Sequence, residues 1–141
     1  MNKYDEVLEN QIFVSVFVII LIFILAITVF VSNKKHFFDD LGKTGRTLVN
    51  LFVVTILVAG IIHFSLRICH LYTDIHEQSY ITYSGNFEVS SYNDRYVTLQ
   101  SEGDALTLDG KVELPGGQYS GQIVYAKHSK YVLSWHVDYK K

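Results

Sequence analysis

The sequence predicts a membrane α + β protein: a hairpin of two transmembrane helices, then a small antiparallel domain of five β-strands. Three observations predict it. Ile12–Ser32 and Thr47–Leu66 are runs of 21 and 20 residues without one Asp, Glu, Lys or Arg. The stretch between them, NKKHFFDDLGKTGR, is short and basic. From Tyr80 onward the apolar residues recur with a period of two, broken at intervals by Gly, Asp, Asn and Pro. The chain then divides into a short tail (1–11), a first span (12–32), a basic loop (33–46), a second span (47–66), a helical neck (67–79) and a β domain (80–141).

Each apolar run forms a helix about 30 Å long, which matches the hydrocarbon core of a bilayer. Composition agrees: the chain is 49% hydrophobic but only 18% charged, with a mean hydropathy of +0.19, where a soluble domain carries about a quarter charged residues. The first run does not read as a cleaved leader. The preceding MNKYDEVLEN is acidic, and the following SNKKH is a charged stop-transfer flank without a small-residue cleavage site.

Orientation follows from the basic residues beside the spans. Lys34, Lys35, Lys43 and Arg46 lie in the loop, against Lys3 before the first span and Arg67 after the second. This bias places the loop in the cytoplasm and both termini outside, in a multi-pass protein of the cell membrane. Within the loop, Gly42–Arg46 (GKTGR) is not a phosphate loop, because the upstream glycine of the Walker pattern is missing and no strand precedes it. Four residues at the outer boundary, Ser15, His63, Arg67 and Cys69, are the expected membrane-interface set. Ser15 and His63 lie at similar depth in an antiparallel hairpin and are expected to face each other or share a water, while Arg67 snorkels toward headgroups.

In the neck, Ile68, Leu71, Tyr72 and Ile75 keep helical spacing until Asp74 and Glu77 end it. In the β domain, Ile81, Tyr83, Phe87 and Val89 share one face, with Gly85 between them marking a bulge or a sharp bend. Val97 and Leu99 alternate with polar neighbours. ALTL and KVEL flank Asp109-Gly110, and the last two strands flank the turn Lys127–Ser129. The apolar pattern at Asp109-Gly110 predicts a turn of odd length, so that Leu108 pairs with Val112 and Leu106 with Leu114. Short strands at even spacing, with a long first strand that bends, resemble the OB-fold, a partly open five-stranded barrel. The connection between third and fourth strands is too short for the helix often found there, so a meandering barrel fits equally.

No motif reaches a named chemistry. His63 and His70 are two helical turns apart, about 10 Å, too far for one metal ion. His136 and Asp138 share a strand face, but no nucleophile is set beside them as hydrolysis requires. Cys69 ends LRIC, which lacks the small residues of a lipid-attachment site. No metal, cofactor or catalytic residue is therefore expected, and the protein is not expected to be an enzyme. Aromatic residues carry the stronger signal: ten Tyr and Trp or Phe positions in the last 62 residues are too many for a small core. Phe87 and Trp135 are expected inside. Tyr92, Tyr96 and Tyr139, with the basic tip Lys127, His128 and Lys130, form the candidate partner-binding surface, since Tyr and Trp favour interfaces.

The expected function is that of a small integral membrane protein with a non-enzymatic, extracytoplasmic binding or accessory domain, of partner-binding or immunity type. The bilayer is one partner and a second protein, or self-association, the other. The alternatives are an oligomeric transport or channel accessory subunit and an OB-like ligand-binding module. Spans free of charged residues disfavour an ion path. Nucleic acid is not expected, because residues 67–141 hold 7 Lys and Arg against 9 Asp and Glu.

Overall fold

The structure is a computed structural model that describes residues 3–34, 42–90, 96–100, 105–110 and 112–140. The side chains at 33, 34, 100, 139 and 140 are outside the described set. It contains two long helices, α1 (Lys3–Lys34) and α2 (Gly42–Glu77), and five strands: β1 (Tyr80–Val89), β2 (Tyr96–Gln100), β3 (Ala105–Asp109), β4 (Gly117–Ala126) and β5 (Val132–Lys140). The chain forms two compact units, one of Glu9–Cys69 and one of Met1–Leu8 with His70–Lys141.

The first unit is an antiparallel helical hairpin. Gln11 meets Arg67 near one end, where Arg67 Nη2 donates to Gln11 Oε1 at 3.4 Å. Further along, a Cβ on Gly60 would lie 3.0 Å from Ile22 Cδ1, so the missing side chain lets the helices approach. Beyond that point an apolar cavity of about 300 Å³ opens between Ile22, Leu25, Ala26 and Val29 of α1 and Val53, Ile56 and Leu57 of α2. Both helices are long and apolar enough to cross a membrane. They are also uncovered: large apolar side chains stand exposed at twelve positions on α1, from Phe13 to Val31, and at eight on α2, from Leu48 to Leu66. A helix that is apolar on all sides and is not buried by protein has no stable place in water.

The second unit is built on a five-stranded antiparallel sheet of order β3-β2-β1-β4-β5. β1 and β4 pair along their whole length, from Tyr80 with Ala126 to Val89 with Gly117. The core gathers on one face: Phe87, Val89, Val97, Leu99, Leu108, Val112, Tyr119, Ile123, Tyr125 and Val132 are buried, with Ile81, Tyr83, Trp135 and Val137 packed against them. The alternation read from the first strand is thus the inward face of β1, and Phe87 stacks on Tyr119 at 5.8 Å.

Three expectations are corrected here. The sheet is not closed into a barrel. Among the described residues its edges meet where Asp109 bridges to Tyr131, with Asp109 N–H donating to Lys130 C=O at 2.9 Å, and where Gly110 lies against Val132. β2 and β3 have five residues each against ten in β1 and β4, too short to run along β5 and seal the gap. Nor is the order that of a meander, because β4 returns to lie beside β1. Finally, Val112–Leu114 of KVEL is not a strand. Leu106 and Leu108 pair with Leu99 and Val97 on β2, and Val112–Leu114 leads into β4 as irregular chain. The apolar pattern of KVEL still reports burial, since Val112 is fully buried and Leu114 packs on the core. Alternation marks which side chains go inside, but not whether the backbone finds a partner strand.

The glycines in mid-sheet have separate tasks. Gly85 lies directly opposite Gly121, and the β1–β4 ladder passes both without a shift. The shift is on the other side of Gly121, between β4 and β5, where a Cβ would fall 2.0 Å from the carbonyl oxygen of His136. At Gly85 the empty place is filled by Tyr83, whose hydroxyl reaches on to donate to Asn86 C=O at 3.0 Å.

Candidate functional site

The polar side chains converge where the two helix ends meet the sheet. Residues 3–10, which read as a tail in the sequence, are the first turns of α1. Asp5 and Leu8 are buried there, and Leu71 and Asp74 are buried on the last turns of α2. None of these four belongs to the main core of the sheet. They share the spacing that builds a helical face: Leu8 is three residues beyond Asp5, and Asp74 three beyond Leu71.

Each helix end is attached through a carboxylate. On α1, Asp5 Oδ1 accepts a short hydrogen bond from the Tyr80 hydroxyl at the start of β1. Tyr4 stands edge-on to the Tyr80 ring at 5.5 Å, and its hydroxyl lies 3.3 Å from Ser134 Oγ on β5. Burial, reinforced by the bond to Asp5 and the charges of Asp5 and Asp74, holds the Tyr80 phenol well above its ordinary pKa. On α2, the Asp74 carboxylate is 0% exposed, and each of its oxygens accepts one backbone N–H of the β4–β5 turn. His128 N–H donates to Oδ1 and Ser129 N–H to Oδ2, both at 2.8 Å. Glu77 Oε2 lies 3.2 Å from His128 Nε2, and Lys127 N–H donates to Ser79 C=O at 2.8 Å.

The exit from α2 is shaped to aim the chain into β1. Ser79 N–H bonds back to Asp74 C=O at 3.1 Å and Gln78 N–H to Ile75 C=O at 3.4 Å, with Gln78 left-handed at φ 49°. This pair of bonds is the Schellman arrangement, with glutamine where glycine is usual. Lys130 closes the β4–β5 turn in the same conformation, φ 57°, and its N–H bonds to Ala126 C=O at 3.0 Å.

Of the candidate surface residues, Tyr96, Lys127, His128 and Lys130 have described side chains. Tyr96 is 45% exposed on β2. Lys127 is exposed, whereas His128 and Lys130 are half-buried, Lys130 Nζ lying 5.9 Å from the centre of the Tyr125 ring. The basic tip is therefore seated on the end of α2 instead of standing free. Tyr92 and the side chain of Tyr139 lie outside the described residues. Trp135 is only half-buried, unlike Phe87. At the hairpin, Ser15 and His63 do not hydrogen-bond each other: Ser15 Oγ donates to Gln11 C=O at 2.8 Å, and His63 is exposed with its ring edge-on to Phe64. A serine inside a helix satisfies its hydroxyl most simply on the carbonyl one turn back. Arg67 is half-buried, and Cys69 is an exposed thiol. Farther along, Tyr72 stacks on His76 at 6.2 Å.

Asp5, Asp74 and Tyr80 went unread as site residues in the sequence, although a signal existed. An acid placed three residues from a leucine on an apolar helical stripe is an acid headed for burial. His136 Nε2 and Asp138 Oδ1 are 3.7 Å apart on exposed side chains. No group of three His, Cys, Asp or Glu among the described residues is placed to hold a metal ion. Comparison with known proteins finds no matching family model, no matching curated protein and no matching solved structure.

Proposed function

We propose that this chain is a two-span membrane protein whose β domain is a non-enzymatic binding or accessory module outside the cytoplasm, with another protein as its partner. The observation that carries the reading is the bare apolar surface of α1 and α2. Each fully exposed large apolar side chain forgoes about 1.5–3 kcal/mol of burial. Twenty of them, even half-covered, would cost an amount on the order of the whole 5–15 kcal/mol stability of a domain or more. A bilayer removes that cost. The basic loop between the helices supports the orientation, since Lys and Arg stay on the cytoplasmic side. Exposed Tyr96 supports contact with a partner, as a residue type enriched where proteins meet.

The experiment has three parts. The protein should remain in the pellet when membranes are washed with alkaline carbonate; release would end the membrane reading. In a Cys69→Ser background, Lys127→Cys should react with a membrane-impermeant maleimide on intact cells and Lys43→Cys only after lysis; the reverse pattern would invert the orientation. A protein that copurifies from native membranes and is lost on Tyr96→Ala would support the binding module.

A second reading is an OB-like ligand module. It is favoured by β1 lying between β2 and β4 and by the parallel bridge from Asp109 to Tyr131, since an OB barrel also leaves its seam partly open and binds over its second and third strands. A saturable change in Trp135 fluorescence on adding oligosaccharide, abolished by Tyr96→Ala, would favour this reading over a protein partner.

A further inference from the structure

The contact between Asp74 and the β4–β5 turn has an unusual balance of forces. Asp74 lies in the last turn of α2, where the helix carbonyls carry negative potential and a carboxylate is least favoured. Its full burial adds a desolvation cost. Both costs are offset by two charge-assisted bonds from successive backbone amides, those of His128 and Ser129. Successive N–H groups pointing at one anion make an anion-binding concavity of a kind that also takes phosphate. Lys127, His128 and Lys130 add basic groups to the same turn. Beside the two amides, Ser129 Oγ is buried and makes no hydrogen bond among the described residues, leaving one donor unused.

We infer that the turn 127–130 is an anion-binding turn whose in-chain occupant is Asp74, a latch that a small external carboxylate can replace. The carboxylate is stable in its place only while the turn is seated, and the two amides are satisfied only while the carboxylate is there. The two partners therefore engage and separate together. In the released state the amides, the Ser129 hydroxyl and the basic side chains of the tip are together available to an anion from outside the chain. This inference needs neither a membrane orientation nor a partner, so it stands or falls apart from the proposed function.

The test uses the full chain in detergent, with amide hydrogen exchange read residue by residue. In Asp74→Ala, exchange at His128 and Ser129 should quicken roughly ten- to a hundredfold, while Ile81 and Ile123 in the central ladder stay protected. Millimolar formate or acetate should slow the two amides again in a saturable way, and chloride at equal ionic strength should not. Unchanged exchange at His128 and Ser129 in Asp74→Ala would overturn the latch, and failure of both acids to restore protection would overturn the anion-binding turn. If Asp74→Ala loses protection across the sheet, Asp74→Asn decides, because it keeps one acceptor oxygen. Protection kept at one amide and lost at the other, within an intact sheet, supports the inference. Protection kept at both, or lost throughout the sheet, overturns it.

Discussion

The Tyr80 hydroxyl donates to the Asp5 carboxylate, 75 residues upstream, and so ties the first turn of α1 to the first residue of β1. Asp5 is almost buried, and a hydrogen bond to a charged group in such a place contributes about 1.5–3 kcal/mol. Tyr80→Phe should lower the stability of the β domain by about that amount in denaturant unfolding. Asp5→Asn should cost less, because the amide oxygen still accepts. The double variant should cost less than the sum of the two single ones, since they share one bond. Additive effects would show that the two groups do not interact.

The same bond sets a pH dependence on the alkaline side. The Tyr80 phenol is raised in the folded protein, first by burial and then by Asp5. The folded state thus holds this proton after an unfolded chain has lost it near pH 10. The associated stability is complete below that pH and declines as pH rises from there toward the raised folded value. Comparing wild type with Tyr80→Phe between pH 9 and 11.5 isolates this contribution from the other tyrosines. Parallel curves for the two proteins would contradict it.

Gln78 holds a left-handed conformation that costs an L-residue about 1–2 kcal/mol and a glycine almost nothing. Gln78→Gly should therefore raise the unfolding midpoint, with a gain of about 0.5–1 kcal/mol after the extra freedom of the unfolded glycine is subtracted. Gln78→Ala should give no such gain. Equal midpoints for the glycine and alanine variants would mean that backbone strain at the helix exit is not a cost.

Two glycines in close places should respond to alanine very unequally. At Gly121 an added Cβ meets backbone, His136 C=O at 2.0 Å, so Gly121→Ala must displace β5 and should cost roughly 2–4 kcal/mol. At Gly60 the nearest atom is the end of the Ile22 side chain at 3.0 Å, which can rotate away, so Gly60→Ala should change helix-pair stability by less than about 1 kcal/mol. Thermal unfolding of the two variants, followed by Trp135 fluorescence for the sheet and by circular dichroism for the helices, separates the two effects.

The helices and the strands were legible for different reasons. Two uncharged runs of twenty residues leave few alternatives, because a charge is so costly in hydrocarbon that its absence is itself a pattern. Strand positions were legible because alternation fixes which side chains face inward, and Ile81, Tyr83, Phe87 and Val89 do line one face. Pairing was not. The Asp109-Gly110 dipeptide resembles a hairpin turn, yet β3 finds its partner in β2, because strand partners are chosen by the packing of the whole face and not by the nearest turn.

The sequence by itself determined the division into apolar helices and an alternating β domain, along with the sign and placement of the basic loop. These are properties of local composition, which act before any long-range contact forms. Only the tertiary structure decided that β4 lies beside β1, that the sheet is not closed into a barrel, and that the basic tip sits on Asp74 and Glu77. Those outcomes depend on which distant groups meet. A buried carboxylate such as Asp5 or Asp74 is tolerated only where donors from another part of the chain arrive, here Tyr80 and the amides of His128 and Ser129.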